Sequence, residues 1–225
     1  MFITGRYPHE SGRDYAMRVI RDNIIRLELE PGAAITDREL AAELGLSRTP
    51  VREALLDLAK VKIVDIYPQR GSSVAYIDYS LVEEAQFVRS VLETAVVQLV
   101  CERATEEDLV HLTENMDLQE FYYQHGSSER LLELDDEFHR LMFQTAGRMQ
   151  AYGMMKGITV HFDRVRNLAV NTVKEQSWLK DHRRILEAVR DRDPAAAKQW
   201  MEKHLSRYQV DEAAVREAYP QYFRQ

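Results

Sequence analysis

Residues 35–58 read ITDRELAAELGLSRTPVREALLDL, and the architecture turns on how they fold. Thr36 with Asp37, Arg38 and Glu39 behind it is a helix start, a capping hydroxyl followed by acid in the first turn. That helix runs to Leu44, where Gly45 supplies a tight turn. Ser47 can cap a second helix beginning near Thr49-Pro50, since proline is tolerated in a first turn. This second helix turns Val51, Ala54, Leu55 and Leu58 to one side. Upstream, Pro31-Gly32 breaks the chain, and an amphipathic helix is expected from about Asp14 to Leu29, with Ala16, Val19, Ile20, Ile24 and Leu27 as its stripe. Residues 1–13, rich in Gly, Pro, Ser and His, read as a loosely ordered arm. Downstream, Val64 and Ile66, a turn at Pro68-Gln69-Arg70-Gly71, and Ser73-Val74-Ala75 form a hairpin pattern. Helix, tight turn, helix and hairpin in that order predict an α+β winged helix-turn-helix over residues 14–76.

In that geometry the second helix of the pair enters a DNA major groove with its N-terminal residues near the base edges. Those residues are Arg48, Thr49 and Arg52. Arg48 and Arg52 stand four apart on one face, and a guanidinium fork bridges two acceptors on guanine or a phosphate. Arg38 begins the supporting helix within reach of a phosphate. Arg70-Gly71 marks the wing tip, where glycine permits the turn and arginine meets the backbone or the minor groove. The plainer reading of these arginines is solvated surface, and their gathering at the places the geometry uses favours DNA. The net charge of −7 is unevenly spread. Residues 1–75 hold 11 Lys/Arg and 11 Asp/Glu, while residues 76–225 hold 19 against 26. A neutral segment binds phosphate when its arginines share a face.

From residue 77 to 220 the pattern is helical throughout. Leu81, Ala85, Val88, Leu92, Ala95 and Leu99 mark one helix; Thr105 and Asp108 cap a second carrying Leu109, Leu112 and Met116. Ser127 or Ser128 opens a third with Leu131, Leu134, Phe138 and Met142. A fourth contains Met154, Ile158, Phe162 and Val165. Thr172 and Glu175 open a fifth with Trp178, Ile185 and Val189, and Asp193-Pro194 starts a sixth that continues to Tyr208. Apolar stripes of this kind are buried only against one another, so the second domain is expected to be an all-α bundle.

Within it, Asp135 and His139 are four apart on the third helix, His182 lies on the stripe of the fifth and His204 on that of the sixth. One histidine on an apolar stripe is more often a hydrogen-bonded core residue than a ligand. Four inward polar groups either find separate partners or share a divalent ion, and imidazoles with a carboxylate suit Zn²⁺, Ni²⁺ or Mn²⁺. His161 fits a core or supporting role equally well, and His9, His111 and His125 read as solvated. The one cysteine, Cys101, excludes an internal disulfide and fits packing better than chemistry. No apolar run is long enough to span a bilayer, and the start of the chain has no secretory pattern. A cytoplasmic protein without a membrane partner is therefore expected.

The 35–58 stretch, followed by PQRGSSV at 68–74, resembles the winged-helix domain of the GntR family of bacterial transcription regulators. The second half resembles the all-helical FCD ligand domain of that family's FadR-type members. The likeness runs from about Asp14 to Tyr208. It implies DNA-contacting roles for Arg38, Arg48 and Arg52 and places the wing glycine at Gly71. One departure stands out: Val61-Lys62-Ile63 lacks the glycine that usually follows the recognition helix. The resemblance also implies a divalent metal held by Asp135, His139, His182 and His204. Arg89 and Glu93 match the family's Arg-x3-Glu pattern, so Arg89 is implied to meet an effector carboxylate, although a solvated arginine is the simpler reading.

The expected function is a metabolite-responsive regulator, most readily a repressor. As a homodimer it would bind double-stranded operator DNA and sense a small organic acid in a metal-containing pocket. Two alternatives compete. In one, the Asp135/His cluster is the centre of a metal-dependent hydrolase; in the other, the metal staples the bundle and senses nothing.

Overall fold

The computed structural model describes residues 1–126, 128–172 and 178–224. Its N-terminal head opens with α1 (Gly12–Ile25), capped by Ser11 onto the Asp14 amide. The helix stops short of the expected Leu29 because Leu27 adopts a left-handed φ of 63°. The segment before it is held down, contrary to the loose arm expected for residues 1–13. Buried Asn23 accepts from the Phe2 amide at 2.6 Å and donates to the Phe2 carbonyl at 2.8 Å. Arg18 spans Thr4, the Gly5 carbonyl and Glu10.

Thr36 caps α2 (Asp37–Leu44) through the Glu39 amide, and Gly45 ends it at φ 65°. The second helix of the pair, α3 (Arg48–Lys60), begins one residue before Thr49; Ser47 occupies the cap position without a side-chain bond. The hairpin pairs β2 (Val64–Tyr67) with β3 (Gly71–Val74) from Val64↔Val74 to Tyr67↔Gly71. A short strand absent from the sequence reading, β1 (Ala34–Ile35), adds to β3 and gives the order β1-β3-β2. Where glycine was missed, Lys62 itself takes the left-handed turn at φ 60°, so the bend is kept at the steric cost of a β-carbon. Val19, Ile20, Val51, Leu58, Ile63 and Val74 fill the head's core.

The bundle comprises α4 (Tyr79–Arg103), α5 (Glu106–His125), α6 (Ser128–Thr145), α7 (Met149–Ile158), α8 (Val160–Thr172), α9 (Trp178–Arg190), α10 (Pro194–Ser206) and α11 (Tyr208–Ala218). Thr105 and Asp108 form a reciprocal capping box on α5, and Gly126 closes that helix at φ 75°. Asp193 caps α10 through the Ala195 and Ala196 amides. Val97, Leu112, Met116, Phe138, Ile185, Val189 and Met201 build the core. Cys101 is buried in it, and burial pushes its thiol up to about 11.

Three expectations need correcting. The fourth helix is two, because the chain breaks at Thr159; a stripe holds its direction only along one unbroken axis. Met154 and Ile158 consequently face outward, while Met155 is buried. The sixth helix ends at Ser206, and α11 follows where no further helix was foreseen. The Thr172–Glu175 cap falls partly outside the described residues, as does Ser127; Thr172 ends α8.

Helix α8 joins the two domains. Val160 enters the head's core, His161 Nε2 lies 2.8 Å from the Val61 carbonyl at the end of α3, and fully buried Arg164 donates to the Ala75 carbonyl at 2.7 Å. His161 is thus a domain-boundary residue, neither core filler nor a support for the Asp135/His cluster. The C-terminal segment closes over the linker. Ile77 donates to the Tyr222 carbonyl at 2.9 Å, Arg224 donates back to Ile77 at 3.0 Å, and Phe223 stacks on Tyr79 at 5.3 Å.

Candidate functional site

Asp135, His139, His182 and His204 are all buried and bring one ligand atom each within 4.8 Å of one another. Asp135 and His139 share a face of α6, and α9 and α10 supply the other two. His204 Nε2 lies 3.2 Å from His139 Nε2 and 3.3 Å from His182 Nε2. Asp135 Oδ1 lies 3.5 Å from His182 Nε2 and 3.9 Å from His139 Nε2. Tetrahedral ligands at about 2.0–2.1 Å from a zinc ion stand roughly 3.3 Å apart. The spacing therefore fits a divalent cation.

The surroundings orient the rings for that task. Glu93 lies against Nδ1 of His139, and Gln119 Oε1 accepts from Nδ1 of His182 at 2.9 Å. Gln119 is oriented in turn, donating to Asn115 Oδ1 at 2.6 Å. Acceptors at both Nδ1 atoms keep the protons there and turn the Nε2 lone pairs inward. Burial drives His182 down to about 3 and His204 well below its ordinary value, so these rings are neutral and ready to ligate. Burial works against ionised Glu93, but Arg89 and His139 beside it outweigh that and bring its carboxyl to about 2.

These shifts set a pH dependence for the metal-stripped protein. An unfolded chain protonates His182 near pH 6.5, whereas the folded one resists until about pH 3. Between those values the unfolded state binds more protons, so stability falls as the medium is acidified through that window, by on the order of 1 kcal/mol per pH unit for this group. Urea titrations of stripped protein at pH 7, 6, 5 and 4 are expected to give steadily lower midpoints. A flat profile would contradict neutral burial.

Above the cluster opens a cleft whose lining includes Asp135, His204, Arg89, Arg166 and Arg207. Arg89 is buried, contrary to the simpler expectation of a solvated arginine. It donates to Glu93 at 2.6 Å, and its guanidinium carbon lies 4.8 Å from the Phe162 ring centre. Arg166 holds Asp135 Oδ2 and, at 2.7 Å, Asp136; these carboxylates keep its guanidinium charged despite burial. Gln119, Asn115 and Arg166 escaped the sequence reading. Leu112, Met116 and Gln119 share one face of α5 (i, i+4, i+7), so an amide on an apolar stripe was the available signal for Gln119.

On the head, Arg38, Arg48, Thr49, Arg52, Arg70 and Gly71 are all exposed. Arg48 and Arg52 share the first turns of α3, and Arg48 donates to both Asp37 oxygens at 2.9 and 3.0 Å. Gly71, at φ 92°, closes the wing turn beside Arg70. His9, His111 and His125 are exposed as expected.

Residues 15–74 match the family model described as bacterial regulatory proteins, gntR family, and residues 84–207 match that of the FCD domain. The chain is 30% identical over 207 residues to the HTH-type transcriptional repressor RspR of Escherichia coli K12, covering 92% of this chain and 91% of that one. The chain belongs to the GntR family. A Streptomyces ambofaciens HTH-type regulator is 31% identical over 213 residues, covering 91% of this chain and 86% of the relative. The solved E. coli McbR/YncC superposes with a TM-score of 0.79 at 21% identity, covering 93% of this chain and 99% of that one. A GntR regulator from Rhodococcus sp. RHA1 gives 0.70 at 22%, covering 92% and 98%. At those identities the structural likeness establishes the fold, a GntR head on an FCD bundle. GntR/FCD proteins are DNA-binding regulators rather than enzymes, and the hydrolase alternative finds no support among these relatives. Among the described residues no helix is long and apolar enough to cross a membrane.

Proposed function

We propose that this GntR/FCD protein is a cytoplasmic, FadR-type homodimeric repressor that releases operator DNA when a small organic acid occupies the cleft over its metal centre. The observation that carries this reading is the convergence of three imidazole nitrogens and the Asp135 carboxylate beneath a cleft that also holds Arg89. The repressor named among its relatives supports the direction of control.

Asp135, His139, His182 and His204 would hold a Zn²⁺, Ni²⁺ or Mn²⁺ ion. When bound, the ion supplies positive charge and open coordination to carboxylate oxygens. Arg89, fixed by Glu93, is placed to donate a hydrogen bond to the effector's carboxylate beside it. On DNA, the first turns of α3 present Arg48, Thr49 and Arg52 to base edges, while Arg38 and the Arg70-Gly71 wing meet the backbone. The head occupies residues 14–76 and the effector and dimer-forming part residues 77–220. Exposed Phe87 and Val91 on α4, one turn apart, offer an apolar stripe for the two-fold contact.

Helix α8 is the route from one site to the other. Its Phe162, Val165 and Arg166 border the cleft, and its Val160, His161 and Arg164 grip the head. An effector that favours one placement of α8 thereby favours one placement of the recognition helix. The test is operator affinity of metal-loaded protein with and without a panel of organic acids, on duplex that the protein selects from a random pool. At least one acid is expected to weaken binding fivefold or more, within the usual range of allosteric coupling. Affinity insensitive to every acid would leave the metal as a bundle staple.

A further inference from the structure

Resting on the sensing role proposed above, the walls of the cleft narrow the class of acid. They are apolar, formed by Leu132, Phe162, Val165, Ala169, Trp178 and Leu205. Among the described residues, the cationic groups of the lining are already matched. Arg89 is opposed by Glu93 at 2.6 Å, Arg166 by Asp135 and by Asp136 at 2.7 Å, and Arg207 by both oxygens of buried Asp181. Positive charge left over for an incoming anion would therefore be concentrated at the metal ion proposed for the floor.

We infer that the effector is an amphipathic monocarboxylate, with its single carboxylate on the floor beside His204 and Arg89 and an aliphatic or aromatic body along the apolar walls. A second carboxylate would meet guanidinium groups that already have partners and would lose its hydration without a new counter-charge. Hydroxyl groups along the body would be desolvated against Leu132, Phe162 and Val165 without acceptors or donors, which a site built of apolar side chains does not repay. Very short acids satisfy the floor but leave the walls wet, forgoing roughly a fourfold gain in affinity per buried methylene.

Matched pairs separate these effects. Full-length zinc-loaded protein is titrated calorimetrically with butyrate against succinate, equal in carbon number but differing by a carboxylate, and with hexanoate against gluconate, equal in carbon number but differing by hydroxyl groups. Butyrate and hexanoate are each expected to bind at least tenfold more tightly than their polar counterparts, and hexanoate more tightly than butyrate. Leu132→Asn, at a half-buried wall position, is expected to weaken hexanoate about tenfold while leaving acetate unchanged. Parity or reversal in either pair, or a Leu132→Asn effect equal for acetate and hexanoate, overturns the inference while the sensing role stands. Failure of every acid to bind would remove the sensing role and this inference with it.

Discussion

Replacing Arg48 and Arg52 together by alanine is expected to lower operator affinity by two to three orders of magnitude, with almost no change in melting temperature. Each guanidinium contact to a base pair or phosphate contributes about 1–3 kcal/mol, and the two side chains stand four residues apart on the exposed face of α3. Neither packs into the core of the head, so the double variant keeps Val51, Ala54, Leu55 and Leu58 in place. The measurement is a binding isotherm at fixed salt on the selected duplex, repeated at several salt concentrations. If these residues touch phosphates, the variant also loses salt dependence; if they read bases, it loses discrimination between operator and random duplex. Retention of wild-type affinity would mean that α3 is not the reading element. The Asp37 carboxylate that pairs with Arg48 is itself partly exposed, so the pair contributes little to stability. Its role is to hold the fork at the start of the helix.

The second large effect concerns the proposed metal site at Asp135, His139, His182 and His204. Adding Zn²⁺ at about a hundred times its dissociation constant is expected to stabilise the folded protein by roughly 2.7 kcal/mol. For a chain of this size that corresponds to a rise of about 5–10 °C in melting temperature. His204→Ala and Asp135→Asn are each expected to abolish most of the rise, because His204 is the nitrogen nearest both other imidazoles and Asp135 is the only carboxylate of the set. Scanning calorimetry with and without chelator, on the native protein and both variants, reads the effect directly. A native protein indifferent to Zn²⁺, Ni²⁺ and Mn²⁺ would refute the metal reading. Operator binding by Asp135→Asn without acid is expected to remain intact, since the head is built from residues far along the chain from the cluster. Loss of DNA binding in that variant would instead mean that the metal holds α8 in its DNA-competent position.

Much of the head was legible because its signals are local. Thr36 and Gly45 bound α2 through hydrogen bonding and a backbone preference that neighbouring residues alone dictate, and the 64–74 alternation with its Gly71 turn encodes the hairpin. The Asp/His cluster was legible for a related reason: helical spacing places Asp135 with His139 and puts His182 and His204 on apolar stripes. What local spacing misjudged was continuity. The stripe from Met154 to Val165 reads as one face, yet the break at Thr159 sends Val160 into the head and leaves Met154 at 76% exposure.

Chain chemistry by itself therefore determined the helix-turn-helix and hairpin of the head, the helical character of the second domain and the four side chains turned inward, because each depends on residues within a few positions of one another. Tertiary structure alone decided that three imidazole nitrogens meet at one point, that Glu93 and Gln119 hold two of those rings, that Arg166 braces Asp135, and that the Phe223 segment closes on Ile77. Those contacts join residues tens to more than a hundred positions apart, and their partners are chosen by how amphipathic faces stack, a choice that periodicity along one helix does not encode.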